Sequence, residues 1–251
     1  MIKPVGSDEL KPLFVYDPDQ HHQLMHEAES LPSVTISSQA AGNAVMMGGG
    51  YFSPLTGFMN VADAMGACGS MRMTDGKFFP VPVMCLLENV DAIKDAKRIA
   101  LRDPNMEGQP VLAVMNVEAI EEVSDEQMAF MTDKVYRTDD KEHPGVKAFN
   151  TQGRFAVSGP IQVLHFSYFQ DDFPDTFRTA VEIRNEISER GWSKIVAFQT
   201  RNPMHLAHEE LCHMAMDRLG CDGLVIHMLL GKLKPGDIPP PVRHPAIRPP
   251  P

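Results

Sequence analysis

The last third of the sequence alternates between helix and strand patterns, and this alternation constrains the fold more than any other feature. Asp175 is a favoured N-cap for the first helix, and Gly191 stands where its C-terminal cap belongs. The apolar residues that share one face of this helix are Phe177, Ala180, Val181 and Ile187. The four segments are a helix over 175–191, a short buried strand over 194–198, a helix over 203–219 and a strand over 223–230. Helix, strand, helix, strand at this spacing is typical of a parallel α/β sheet.

The first two thirds of the sequence favour short strands instead. The strand-like runs are 34–37, 81–87, 111–117 and 155–166, the last interrupted by Gly159-Pro160. Turn-forming clusters at 48–50, 74–76 and 143–145 separate them, and helix patterns such as Ser124 to Val135 are short. We therefore predict an α/β protein with a β-rich N-terminal domain over 1–170, a second domain over 171–238 and a tail over 239–251.

The charge and cysteine content exclude several classes of protein. The 251 residues include 23 basic and 33 acidic side chains, a net charge of −10, so nucleic acid and anionic membrane surfaces would be repelled. No run approaches the roughly 18 apolar residues of a membrane span. The four cysteines form no Cys-x-x-Cys pair, and the N-terminus lacks an apolar signal core. We expect a cytoplasmic protein with free thiols and with neither nucleic acid nor membrane as a partner.

The loop before the second helix contains a pattern that suits small oxyanions. Asn202 and Pro203 predict the start of a helix, because Asn is a favoured N-cap and Pro suits the first helical position. A helix N-terminus offers unpaired N–H groups and a positive dipole end to phosphate or sulfate.

The side chains around this helix start point to the same chemistry. Arg201 adds a planar charge that can bind an oxyanion through two hydrogen bonds. His205 and His208 are three residues apart, so in a helix they share one face beside that charge. Gln199 and Thr200 supply neutral donors. The segment therefore predicts an oxyanion site.

Each of these features also has a purely structural interpretation. Asn-Pro can simply cap a helix, and a histidine near a helix N-terminus is more often a surface residue than a ligand. A metal site is a further alternative, with candidate ligands His205, His208, Cys212 and His213. A helix turns His213 away from the other three, and no carboxylate completes the set. We expect no protein-bound metal, and the Gly-rich Walker loop is absent.

Residues 199–209 resemble the first nucleotide loop of the sulfate adenylyltransferases (ATP sulfurylases). The family pattern is Gln-x-Arg-Asn-Pro-x-His-x-x-His-Glu, and this sequence reads Gln-Thr-Arg-Asn-Pro-Met-His-Leu-Ala-His-Glu. The His-x-x-His part is also related to the His-x-Gly-His signature of other nucleotidyltransferases. The Gln-x-Arg prefix narrows the resemblance to the sulfate adenylyltransferases. Three other blocks are similar to the same family, at 48–59, 139–146 and 230–237. The resemblance runs from about residue 3 to about residue 238.

The resemblance implies a PUA-like N-terminal domain followed by a truncated Rossmann-like nucleotidyltransferase domain. The implied reaction converts ATP and sulfate reversibly into adenosine 5′-phosphosulfate and pyrophosphate. ATP would enter with Mg²⁺, and a sulfate oxygen would attack the α-phosphorus directly, so no enzyme nucleophile is needed. Catalysis would then rest on positioning and charge stabilisation. At full length the protein is expected to be a homo-oligomer.

The resemblance also implies a role for each loop residue. Gln199 and Arg201 would hold sulfate, with Arg201 also neutralising charge on the α-phosphate. Thr200 and Asn202 would contact the nucleotide phosphates, and the two histidines would contact the pyrophosphate side. The implied nucleotide site comprises Gln199, Thr200, Arg201, Asn202, His205 and His208, and the candidate catalytic residues are Thr200, Arg201 and Asn202.

The end of the sequence departs from the family pattern. The family has a second nucleotide loop, Gly-Arg-Asp-His-Ala-Gly, on a later strand, and this sequence ends before it. Residues 239–251 hold seven prolines, which excludes a helix there. We expect the 251-residue chain to lack adenylyl transfer and to have a labile C-terminal third, with unpartnered apolar faces at Val196, Phe198, Val225, Met228 and Leu229. The alternatives are a non-catalytic fragment and a different adenylyltransferase that uses the same His-x-x-His geometry.

Overall fold

The structure is a computed structural model that describes residues 3–229 and 238–239. The chain divides into two compact units, an N-terminal unit that ends at Val181 and a C-terminal unit that begins at Glu182. The domain boundary expected near residue 170 remains a prediction. Leu230, the motif residues 231–237 and the prolines from 240 onward lie outside the described residues.

Helices and strands alternate irregularly through the first 172 residues. The helices are α1 (Pro18–Ala28), α2 (Ser38–Gly48), α3 (Val61–Ser70), α4 (Asp125–Tyr136), α5 (Pro144–Asn150) and α6 (Phe169–Asp172). The strands are β1 (Ser33–Thr35), β2 (Gly57–Phe58), β3 (Cys85–Leu87), β4 (Arg98–Arg102), β5 (Val111–Asn116), β6 (Ala119–Glu122) and β7 (Phe155–Val163). The chain continues with α7 (Ala180–Glu189), β8 (Ile195–Thr200), α8 (Leu206–Leu219) and β9 (Gly223–Met228).

β7 organises the sheet of the N-terminal unit. The strand order is β1-β4-β5-β7-β2, and β3 and β6 also pair with β7. The strands β2, β3, β5 and β6 are all antiparallel to β7, whereas β1 and β4 are parallel to each other. The central strand β5 is buried at every position except its last residue, Asn116. The predicted mixed α/β character of this part of the chain is confirmed.

The structure corrects three of the local predictions. β7 is not interrupted at Gly159-Pro160, because Gly159 adopts a φ of +142° that keeps it paired with Phe58. The strand predicted over 81–87 is reduced to β3, since Pro80 and Pro82 have no N–H to donate to a ladder. The predicted turn at 143–145 is the start of α5, where the His143 side chain accepts a hydrogen bond from the Val146 N–H.

The helix predicted from Ser124 to Val135 is confirmed as α4. The Ser124 hydroxyl accepts a hydrogen bond from the Gln127 N–H, and the Gln127 side chain accepts one from the Ser124 N–H. This reciprocal pair satisfies two N–H groups that a helix start leaves without intrahelical partners.

Two backbones approach closely where β2 meets β7. A Cβ atom on Gly57 would lie 1.9 Å from the Gly159 carbonyl oxygen and 2.7 Å from the Pro160 Cα. Both are backbone atoms of the strand that carries the sheet, so they cannot move aside as a side chain could. Glycine is therefore required at position 57 for steric reasons.

His165 follows β7 and is held by a local hydrogen bond. Its Nδ1 accepts from the Ser167 N–H at 2.9 Å, and its Nε2 is buried. Burial lowers the pKa of His165, an effect that the nearby Asp103 carboxylate partly opposes. The folded protein thus favours the neutral ring.

The C-terminal unit has the predicted order of elements. β8 and β9 form a two-stranded parallel sheet, connected by α8. Gly191 follows α7 with a φ of +69°, which confirms it as a C-terminal cap. The first helix begins at Ala180 rather than near Asp175, because the Phe173 carbonyl already accepts hydrogen bonds from the Thr176 and Phe177 N–H groups in a preceding turn.

β8 is not the buried strand that its composition predicted. Val196 and Phe198 are half-buried and Thr200 is buried, whereas the alternate residues Ile195 and Ala197 are exposed. Side chains alternate between the faces of a strand, so packing against a single neighbouring helix covers only every second residue. Among the described helices of the chain, none is long and apolar enough to cross a membrane.

Gly57→Ala is expected to destabilise the N-terminal unit by about 2–4 kcal/mol, because the added methyl meets backbone that cannot relax. Urea unfolding followed by circular dichroism measures the change. Gly42→Ala is the matched control. Gly42 lies inside α2, a Cβ there meets nothing within 4 Å, and alanine should stabilise the helix by about 1 kcal/mol. Equal effects of the two substitutions would contradict the steric account.

The depressed pKa of His165 predicts that the N-terminal unit loses stability on acidification. A proton binds His165 more readily in the unfolded state than in the folded state. The contribution of the neutral ring to folding stability is therefore present above the ordinary histidine pKa of about 6.5 and is lost as the pH falls below it. His165→Asn keeps an acceptor for the Ser167 N–H but cannot titrate, so its unfolding free energy should vary less between pH 7.5 and 5.5. His22→Asn, at an exposed site on α1, should keep the wild-type slope; identical slopes for all three proteins would refute the prediction.

Candidate functional site

The predicted oxyanion segment lies where β8 ends and the chain turns into α8. Gln199 and Thr200 are the last residues of β8 and lie opposite His227 and Met228 of β9. The Leu229 N–H donates to the Thr200 carbonyl at 3.1 Å, which extends the pairing of the two strands to the edge of the loop. Because β8 and β9 are parallel, both strands end at the same edge, and α8 starts beside it.

Thr200 and Asn202 form a closed turn at the beginning of the loop. The Thr200 hydroxyl donates to the Asn202 carbonyl at 2.8 Å and accepts from the Asn202 N–H at 3.2 Å. Thr200 is buried with 8% of its surface exposed, whereas Asn202 is exposed. The threonine side chain therefore shapes the backbone that carries Arg201 between them.

The start of α8 differs from the prediction. The helix begins at Leu206 rather than Pro203, and its N-cap is His205 rather than Asn202. An N-cap residue uses its carbonyl to accept the first helical hydrogen bond. The Asn202 carbonyl accepts from the Thr200 hydroxyl, whereas the His205 carbonyl accepts from the N–H groups of His208 and Glu209 at 2.7 and 3.3 Å.

The two histidines cap the helix together. Nδ1 of His205 accepts from the Ala207 N–H at 3.3 Å, and Nδ1 of His208 accepts from the His205 N–H at 3.3 Å. Their ring centroids are 3.9 Å apart, and the His208 ring lies 5.7 Å from the ring of Phe198 on β8. The two rings are therefore in contact, with His205 as the N-cap and His208 in the first turn, rather than both within the helix as the spacing predicted.

The exposed fractions of the predicted site residues differ along the segment. Gln199 and His205 are exposed, and Arg201 and His208 are half-buried. All lie within the ten residues from Gln199 to His208, at the positive end of the α8 dipole. The segment can supply a guanidinium, two imidazoles and amide groups to an anion bound at this edge.

The alternative metal site is not assembled on α8. Cys212 is buried and His213 is exposed, so these two residues lie on different sides of the helix. Burial raises the pKa of the Cys212 thiol, which disfavours the thiolate that a metal would need. Within residues 3–229 and 238–239, no group of three or more His, Cys, Asp or Glu side chains is arranged to hold a metal ion.

Asp222 secures the opposite end of the β8–β9 pair and was not singled out from the sequence. Its carboxylate accepts from the Ser193 N–H at 2.8 Å, the Lys194 N–H at 2.8 Å and the Ser193 hydroxyl at 2.7 Å. These bonds, chiefly the two from backbone N–H groups, lower the pKa of Asp222 to about 2. The one available signal was its position immediately before a predicted strand, which many surface residues share.

The comparisons with known proteins agree with the motif resemblance. A family profile described as "PUA-like domain" matches residues 2–166, and one described as "ATP-sulfurylase" matches residues 174–248. The sulfate adenylyltransferase of Allochromatium vinosum is 75% identical over 248 residues, which are 99% of this chain and 62% of that protein. This chain belongs to the sulfate adenylyltransferase family. The predicted order of a PUA-like domain followed by a nucleotidyltransferase-family domain is thereby confirmed.

Two further similarities extend over nearly the whole chain. The sulfate adenylyltransferase of the Riftia pachyptila sulfur-oxidizing endosymbiont is 76% identical over 248 residues, 99% of this chain and 56% of that protein. A structure described as the hexameric APS kinase from Thiobacillus denitrificans is similar with a TM-score of 0.71 and 26% identity, over 98% of this chain and 43% of that one. The chain thus spans 62% and 56% of the length of the two curated relatives.

Asp222→Asn is expected to loosen the end of the β8–β9 pair opposite the loop, since an amide has one acceptor oxygen for the three donors. Faster hydrogen exchange of the Ser193 and Lys194 amides at pH 7 is the expected result. In the wild type, the stabilisation by the ionised Asp222 carboxylate is present above the ordinary carboxyl pKa of about 3.9. It is lost as the pH falls towards 2. Asp217→Asn, at an exposed position on α8, should leave the exchange rates of both amides unchanged. Equal exchange rates in the two variants would contradict the role of Asp222 in holding this end of the strand pair.

Proposed function

We propose that this chain carries the first phosphate-binding loop of a sulfate adenylyltransferase that interconverts ATP plus sulfate and adenosine 5′-phosphosulfate plus pyrophosphate. The observation that supports this most is the placement of residues 199–208, which comprise the end of the parallel strand β8, the loop after it and the start of α8. Ligands of open parallel α/β sheets bind outside the carboxyl ends of the strands, where helix N-termini also point.

The proposed chemistry needs no covalent intermediate on the protein. An oxygen of sulfate attacks the α-phosphorus of ATP, the bond from that phosphorus to the bridging oxygen breaks, and pyrophosphate leaves with the electron pair. Magnesium enters with ATP and is part of the substrate. The residues of this chain then act by holding two anions in line and by offsetting the negative charge of the transition state.

Arg201 and Gln199 are the proposed sulfate ligands. The guanidinium of Arg201 also offsets the charge that develops on the α-phosphate. The turn between Thr200 and Asn202 sets the backbone position of Arg201. Thr200 and Asn202 were assigned to the nucleotide phosphates; since the Thr200 hydroxyl is bonded to Asn202, we propose that Thr200 contributes mainly by shaping the loop. His205 and His208 take the pyrophosphate side.

Two observations bear on the assembly and the location of the protein. One similar structure is described as hexameric, and on this similarity we propose that the longer protein is a homo-oligomer. The four cysteines are free, which agrees with a reducing compartment such as the cytoplasm.

The catalytic proposal predicts that Arg201→Ala, in a version of the protein extended to the length of its relatives, abolishes turnover with little change in stability. Loss of one charged transition-state contact costs about 3 kcal/mol or more, a decrease of at least roughly 100-fold in kcat. The assay is ATP formation from adenosine 5′-phosphosulfate and pyrophosphate.

Arg218→Ala is the matched control, because Arg218 is exposed in the last turn of α8, at the end away from the loop. It should retain full activity. Near-normal turnover of Arg201→Ala would refute the assignment of this residue. Adenylyl transfer to an acceptor other than sulfate would support a different adenylyltransferase, and absence of transfer in the extended wild type would support a non-catalytic role.

A further inference from the structure

A cleft of about 630 Å³ lies on the N-terminal unit, between β1, the start of α2, the end of β3 and the end of α5. Its floor is apolar, because Ile36, Leu86 and Leu87 line it and are buried. A volume between about 300 and 1,000 Å³, an apolar floor and a few polar groups are typical of small-molecule sites. The described residues that line the cleft all belong to the N-terminal unit, and none lies within residues 199–208.

The hydroxyl groups along the cleft already donate their hydrogens to the protein. Those of Thr35, Ser37 and Ser38 donate to side-chain amide oxygens at 2.9, 2.8 and 2.8 Å. The Thr151 hydroxyl donates to a carbonyl of α5 at 2.9 Å. A hydroxyl has a single hydrogen to donate, so towards a ligand these groups act as acceptors.

An amide bridge forms one wall of the cleft and uses further donors. The Gln152 amide nitrogen donates to the Gln39 side-chain oxygen at 3.0 Å and to the Ala148 carbonyl at 3.2 Å, so both of its hydrogens are used. The side-chain amides of Gln39 and Asn89 keep donors of their own. The hydrogen-bonding groups of the cleft are therefore mainly acceptors.

The charge along the cleft is negative. Glu88 is the one charged side chain among the described residues that line it. Beside it, Asn89 accepts from the Asp91 N–H at 2.6 Å and donates to the Asp91 carboxylate at 3.0 Å, which holds a second carboxylate near the rim. Neither carboxylate forms a salt bridge with a residue in the described part of the chain. The positive end of the α2 dipole, about half an elementary charge, only partly offsets them.

We infer that this cleft binds a small organic cation, a linear diamine or polyamine, with an ammonium group at Glu88 and its alkyl chain over the apolar floor. An ammonium group has three donors and no acceptor, so it matches the acceptors of the cleft, whereas phosphate and sulfate would be repelled. The alkyl chain would cover Ile36, Leu86 and Leu87. The net charge of −10 also favours cations. This inference does not depend on the proposed function.

The experiment titrates the 251-residue chain with 1,5-diaminopentane at low salt and follows backbone amide shifts by NMR. The shifts at Ser38, Glu88 and Thr151 should change together and saturate, with a dissociation constant of about 1 mM or lower. 1,5-Pentanediol, which has the same length and no charge, should bind at least about tenfold more weakly. Added salt should weaken the binding of the diamine.

Two variants separate the charge from the shape of the cleft. Glu88→Gln keeps the size of an exposed side chain and removes its charge, so the diamine should bind about tenfold more weakly. Ala148→Leu fills the cleft from α5 and should remove saturable binding. Glu118→Gln, at an exposed position outside the lining, is the matched control and should bind as the wild type does. Unchanged amide shifts of β5 report that each variant is folded.

Absence of saturation in the wild type would refute the inference. Equal affinity for the diol, or equal affinity of Glu88→Gln and Glu118→Gln for the diamine, would overturn the assignment to a cation. Diamine binding that survives in Ala148→Leu would place the site elsewhere and overturn the role of the cleft. The proposed function is tested by turnover of the extended protein, so none of these outcomes changes it.

Discussion

The parallel pairing of β8 and β9 is the constraint on which the candidate site depends. Six residues of each strand lie in register, from Ile195 opposite Gly223 to Thr200 opposite Met228. A parallel pair requires a crossover, and here α8 returns the chain to the start of β9, with Asp222 fastening that turn to Ser193 and Lys194. Both strands must then end at the edge where α8 begins, and the loop residues are held there by the fold.

Within that edge, hydrogen bonds from the loop's own polar side chains determine its shape. Thr200 closes a turn with Asn202, and the two imidazoles replace the usual Ser, Thr, Asp or Asn cap. Polar groups that a motif would assign only to ligand binding therefore also build the loop. A motif residue of the N-terminal unit also has a structural role. Gly57 lies in the family-like block at 48–59, and glycine is required there because a Cβ would meet the Gly159 backbone.

The sequence predicted the elements with strong periodic patterns and clear caps. α4, α8 and the β8–β9 pair were placed to within a few residues, and the motif at 199–209 identified the family. The predicted start of α8 was wrong because Asn-Pro is a good cap in isolation. Only the structure shows that the Asn202 carbonyl accepts a hydrogen bond from the Thr200 hydroxyl. α1, α2 and α3 were not predicted from hydrophobic patterns, and the pairing of β7 with four strands depends on contacts between residues distant in the chain. The hydrogen bonds from Ser193 and Lys194 to Asp222 were not predicted for the same reason.

The most direct test of this account is a crystal structure of the protein, extended to the length of its relatives, with adenosine 5′-phosphosulfate and pyrophosphate bound. The account predicts the sulfate group within hydrogen-bond distance of Gln199 and Arg201, and a pyrophosphate oxygen within the same distance of Nε2 of His205 or His208. A ligand bound away from the edge formed by β8 and α8, or one whose sulfate and phosphate groups contact none of these side chains, would contradict it.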